Sequence, residues 1–180
     1  MKKSLLVAVI LLVFLTLFGC KMLNKLTQFD VPYTTSFTIP AAPLMGLLSD
    51  IYTPDITTNS EQTFSGNNTA ANLVQEVTLE SLKLTITSPQ GKTFDFLKSA
   101  EVYIRADGLP EVKVASIDNI NDATVGNTLE MIPSGGNLKE YLKKDVIKLT
   151  IRSTTDKVLS QSVEVRIDAV FMVDAKILGV

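Results

Sequence analysis

From Val163 onward every second residue is apolar: Val163, Val165, Ile167, Ala169, Phe171, Val173, Ala175 and Ile177. Between them stand Glu164, Arg166, Asp168, Asp174 and Lys176. Successive side chains of an extended chain point to opposite faces, so this run demands a strand with one face on a core and one toward water. A helix would spread the same residues around its whole circumference. Val170 and Met172 make the outer side apolar midway, so a bend that lets this strand serve two sheets is expected.

The pattern recurs in shorter form. Tyr33–Ile39 is rich in β-branched and aromatic residues and stops at Pro40. In Val77–Thr87, the parity of Val77 and Leu79 is opposite to that of Leu82, Leu84 and Ile86, which calls for a bulge near Ser81. Ser88-Pro89-Gln90-Gly91 reads as a type I turn. Ala100, Val102, Ile104 and Ala106 alternate with Glu101, Tyr103 and Arg105, and Ile147, Leu149 and Ile151 alternate with Lys148, Thr150 and Arg152. Glu111–Ile117 and Thr128–Ile132 are two more short strands. Helix is scarce: about two turns over Asn137–Lys144 after Gly135-Gly136, and room for one over Thr69–Glu76. The fold class that follows is all-β, an antiparallel β-sandwich of roughly seven strands with minor helix, spanning residues 31–180.

Two connections stand apart. Residues 39–48 are unusually apolar for a loop, fitting either an exposed patch or an irregular plug at one end of the sandwich. Thr53–Asn72 is polar and long, an exposed excursion with Phe64 as its apolar foothold.

Composition then removes most chemistry. The chain has no histidine and one cysteine, Cys20. Ser-His-Asp and Cys-His nucleophiles and His-based zinc sites are therefore unavailable. No Ser-x-x-Lys, Gly-x-Gly-x-x-Gly or Walker-type loop occurs. The net charge of −2 is scattered, without the basic stripe a nucleic-acid partner requires. Carboxylate hydrolysis survives this filter, with Glu101, Asp107 and Glu111 as candidates, although solvated charges on outer strand faces are the commoner explanation of such acids. The absence of tryptophan weakens a sugar-hydrolase reading by removing the indole platform. A hard cation is the remaining option: Asp118, Asn119, Asn121 and Asp122 gather oxygen side chains in one loop, without the glycine and distal glutamate of an EF-hand. Asx turns that satisfy their own backbone explain the same residues. The expectation is a non-enzymatic domain with no cofactor beyond a covalent lipid.

The first residues supply that lipid. Lys2 and Lys3 precede an apolar run, Leu5–Phe18. The run is shorter than the ~20 residues that cross a bilayer and within the ~7–15 of a signal-peptide core. An uncleaved anchor extended through Met22 and Leu23 is the alternative. Leu17-Phe18-Gly19-Cys20 resembles the lipobox of bacterial lipoproteins. That resemblance implies recognition by the signal peptidase at Leu17, Phe18 and Gly19, cleavage after Gly19, and lipidation of Cys20. Residues 1–19 are then a leader, 20–30 a lipidated tether and 31–180 the domain. Within the tether, Met22, Leu26 and Phe29 share helical spacing, as in a short helix on headgroups or a plain linker. Two or three acyl chains at ~0.8 kcal/mol per CH₂ hold nearly irreversibly. Lys21 is not the aspartate that resembles an inner-membrane retention signal, so an outer-membrane position is expected. The residues after Cys20 lack the acidic cluster associated with surface export, so the domain is expected to face the periplasm. The partners expected are the membrane through its anchor and another envelope protein or a glycan, with calcium or small-ligand binding as the alternative.

Overall fold

A computed structural model describes residues 27–42, 46, 49–121 and 123–176. Leu17, Phe18, Gly19 and Cys20 lie outside the described residues, as do Asp122 and Ile177. Among the described residues nine strands form one antiparallel, curled sheet: β1 Gln28–Ile39, β2 Ser49–Tyr52, β3 Ile56–Thr57, β4 Val74–Ser88, β5 Leu97–Ala106, β6 Val112–Ile117, β7 Thr128–Pro133, β8 Val146–Thr155 and β9 Val163–Ala175. The order across the sheet is β1-β9-β4-β7-β6-β5-β8-β2, with β3 also on β8. The helices among the described residues are brief, α1 at Ser60–Gly66 and α2 at Lys139–Leu142.

The C-terminal alternation does what it predicted. Val163 through Ala175 at every second position are at most 3% exposed. β9 runs between β1 and β4, with Phe171 opposite both Val31 and Leu79. It does not bend to serve two sheets, because its register against β1 is continuous over its whole length. The corner is turned by β7 instead. One part of β7 pairs with β4 through Thr128–Met131, and the next pairs with β6 through Ile132 and Pro133. The sheet thus folds into two layers, β1-β9-β4 facing β6-β5-β8-β2, around a shared core that includes Phe94, Phe96 and Phe171. This is the β-sandwich, with nine strands rather than seven because β2 and β3 were too short to signal.

The bulge expected near Ser81 is present as a register shift of β4 against β9 between Leu79 and Ser81. It lets Val77, Leu79, Leu82, Leu84 and Ile86 all reach the core despite their change of parity. The turn after β4 is one residue later than the type I turn over 88–91. Lys92 N–H donates to Pro89 O at 3.3 Å, and Gly91 takes φ +78° at the third position, as type II geometry requires.

β1 begins at Gln28, inside the expected tether, because Phe29 pairs with Val173. Thr69–Glu76 holds only a 3₁₀ turn, Ala71–Leu73, before β4 takes over. Asn137–Lys144 contributes one helical turn rather than two. In it Leu138, Tyr141 and Leu142 are buried, and Tyr141 Oη donates to Pro110 O at 2.6 Å. Thr53–Asn72 is no open excursion: it contains β3 and α1, and Phe64 is buried as the foothold foreseen. In the apolar connection, Ile39 is buried and Ala42 bridges Leu159, while residues 43–45 and 47–48 lie outside the described set. The two ends of the sheet come together where β1 meets β2, and there Tyr33 Oη donates to Thr58 O at 2.8 Å. Burial pushes the Tyr33 phenol up to about 12.

Candidate binding face

Alternation places Glu101, Tyr103 and Arg105 of β5 on the outer side of their layer, with Lys148, Thr150 and Arg152 of β8 beside them. Register then lines them up in rows across four strands. One row runs Asp50, Arg152, Glu101, Ser116, and the next runs Tyr52, Thr150, Tyr103, Lys113. Lys148 and Arg105 make a third pair. Thr150, between two tyrosines, is fully covered although it lies on the outer side.

Arg152 is the hub of the first two rows. Its guanidinium carbon lies 4.2 Å from the Tyr103 ring centre. Its Nη2 donates to Glu111 Oε2 at 2.6 Å, and its Nε to Asp50 Oδ1 at 3.3 Å. Glu101 accepts from Tyr103 Oη at 2.8 Å and from Lys113 Nζ at 3.0 Å. The Tyr103 and Lys113 bonds hold the Glu101 carboxyl below its ordinary range. Glu111 is also held low: partial burial pushes it up, but its bond to Arg152 and the charges of Arg152 and Arg105 outweigh that. Lys113 and Arg152 move up for the complementary reason, Lys113 through its bond to Glu101, and Arg152 through the Tyr103 side chain it lies against and its bond to Glu111.

The third pair is different. Lys148 Nζ reaches Asp55 at 2.8 Å, whereas Arg105 forms no ion pair among the described residues. Arg105 rests against the Tyr52 ring, 5.2 Å from its centre, and its Nε is buried without a hydrogen-bond partner. Asp55, Arg105, Ala106, Asp107, Val146 and Lys148 line an open cavity of about 470 Å³.

These contacts assign the residues singled out from the sequence. Glu101 and Glu111 do meet around Arg152, but both are held ionised, whereas the general acid of a glycosidase requires a raised pKa. Asp107 lies apart from them in the Arg105 cavity. In the oxygen-rich loop, Asn119 adopts φ +54° and Asn121 Oδ1 accepts from Ala123 N–H at 3.1 Å, an Asx turn. Asp118 acts on Lys113 through its charge. Among the described residues no three Asp, Glu, Cys or His side chains group as metal ligands, and no helix is long and apolar enough to cross a membrane. Tyr52, Tyr103, Arg105 and Arg152 are not legible as a group in the sequence, because only the pairing of β8 with both β5 and β2 brings them together.

No protein-family model matches the chain, and no curated protein sequence matches it. Among solved structures it is similar to the BFDV capsid protein, at 9% identity and TM-score 0.37, over 83% of this chain and 99% of that one. It is similar to a chain of turnip yellow mosaic virus at 12% identity and TM-score 0.27, over 84% and 98%. It is also similar to a carbohydrate-binding module of the β-sandwich superfamily at 12% identity and TM-score 0.27, over 83% and 55%. Identities and TM-scores this low transfer neither ligand nor activity.

Proposed function

We propose that this chain is a lipid-anchored, non-catalytic envelope protein whose outer β2-β8-β5-β6 face is a binding surface. The observation that carries the binding half is the unevenness of that face. Arg152 is saturated by Asp50, Glu111 and Tyr103, while Arg105 opens onto a cavity with no ion pair among the described residues. A guanidinium left without a carboxylate is a recognition group in waiting, since its planar donors suit an external anion. The depressed carboxyls of Glu101 and Glu111 favour binding over hydrolysis, because neither holds a proton to donate near neutral pH.

The anchor half rests on Leu17-Phe18-Gly19-Cys20. Cys20→Ser in the full chain is expected to leave the leader uncut or to release the protein from the membrane fraction. Unchanged fractionation together with an unchanged mass of the processed chain would sink that half. Release of reducing sugar in broad glycosidase assays at acid and neutral pH would sink the non-catalytic half.

A further inference from the structure

We infer that the cavity beside Arg105 binds a carboxylate-bearing sugar of the uronic-acid class. This inference rests on the proposed binding face and deepens it. Of the chain's three arginines, Arg152 and Arg166 have carboxylate partners at 2.6 Å and 2.9 Å. Glu111 lies close enough to feel the charge of Arg105, but its hydrogen bond is committed to Arg152.

The stack on Tyr52 holds the Arg105 side chain in place, so a ligand carboxylate would meet a pre-positioned fork rather than a mobile cation. Preorganisation of this kind lowers the entropic cost of binding. The rest of the lining selects what is attached to that carboxylate. Asp55 and Asp107 are acceptors for hydroxyl groups, and Lys148 is a donor already oriented by Asp55 at 2.8 Å. Ala106 and Val146 give a small apolar patch, and Tyr52, 56% exposed and in contact with the lining residue Arg105, offers a ring for the C–H face of a sugar. The volume of about 470 Å³ lies in the range of small-ligand sites. A polyanion is disfavoured, because Asp55 and Asp107 would repel charges beyond the first. A bulky hydrophobic ligand finds only two small apolar side chains among the lining residues.

The test is a calorimetric titration of the full chain in detergent with D-glucuronate, D-glucose, acetate and diglycine. Saturable glucuronate binding is expected, with glucose and acetate each weaker by about tenfold or more, as loss of a charge-assisted bond or of the hydroxyl contacts implies. Arg105→Gln should weaken glucuronate by about tenfold or more, while Arg166→Gln, on the other layer, leaves it unchanged. Should Arg105→Gln fail to fold by circular dichroism, Tyr52→Ala and Asp107→Asn change exposed side chains and must each weaken binding. No glucuronate binding, acetate or diglycine binding as tightly as glucuronate, or an affinity indifferent to these variants would each overturn the inference. A chain that binds no glucuronate but still needs Cys20 for membrane fractionation loses this inference and keeps its anchor. A chain that hydrolyses glucuronides loses the non-catalytic reading instead.

Discussion

On the outer side of β1, β9 and β4, the charged residues described pair along their own strand or across one ladder. Arg166 reaches Asp168 two residues along its own strand at 2.9 Å, and Lys83 meets Glu130 across one ladder at 3.5 Å. On the outer side of β2, β8, β5 and β6, Arg152 alone gathers Asp50 from β2, Tyr103 from β5 and Glu111 from just before β6. The inner sides of the two layers are built alike, from aliphatic and phenylalanine side chains at every second position. What separates the layers is therefore register. Long aromatic and guanidinium side chains interact across strands only when the ladder places them in adjacent rows. A strand's inner face needs only apolar bulk, while its outer face becomes specific through the neighbours that pairing supplies.

The largest expected effect tests the shared inner face. Phe171→Ala in β9 removes a fully buried ring opposite Val31 and Leu79, and should cost about 3–5 kcal/mol in chemical denaturation. A loss below about 1 kcal/mol would mean that the two layers do not share one close-packed core.

The second effect separates the outer faces. Arg152→Ala should lower Tm, because it strips the cation from Asp50 and Glu111, whereas Arg166→Ala should hardly move it. The same contrast has a pH signature. Glu101 and Glu111 are held below the ordinary value of 4.5, so their contribution is complete above that value and is lost as pH falls through it and below. Tm measured against pH should fall on this acid limb, and Glu101→Gln with Glu111→Gln should flatten it. An unchanged limb would show that the hub adds no more than the scattered pairs opposite.

A smaller effect tests the seam joining the layers. Tyr33→Phe removes the bond to Thr58 O and should cost about 1 kcal/mol. Its alkaline signature has the opposite sign. The folded phenol sits at about 12, above its ordinary 10.0, so stability present below pH 10.0 declines as pH rises toward about 12. Tyr33→Phe should remove that decline. Smallest of all, Lys83→Gln breaks an exposed pair and should change stability by less than about 1 kcal/mol at low salt, and by still less at high salt.

The strands that carry the core were legible where alternation ran for several residues, as in β9, β5 and β8, and even the β4 bulge showed as a change of parity. β2 and β3 were not, because four and two residues are too few to establish a period. α1 was hidden for a related reason: in Ser60–Gly66 Phe64 is the sole large apolar side chain, so no helical repeat exists to be read. The candidate site was legible as ingredients only. Glu101, Tyr103 and Arg105 stood on one parity, and so did Lys148, Thr150 and Arg152, but nothing in either segment says that the two are neighbours.

The sequence by itself determined which residues point inward, since period-2 alternation follows from the geometry of an extended backbone and needs no partner. It also determined the want of histidine and of a second thiol, and with it the nucleophiles that this chain cannot build. Only the tertiary structure decided which strand turns the corner, which arginine is saturated and which is left open. Those outcomes depend on hydrogen-bonded pairing between segments as far apart as Asp50 and Arg152, and a local pattern carries no record of the partner it will meet.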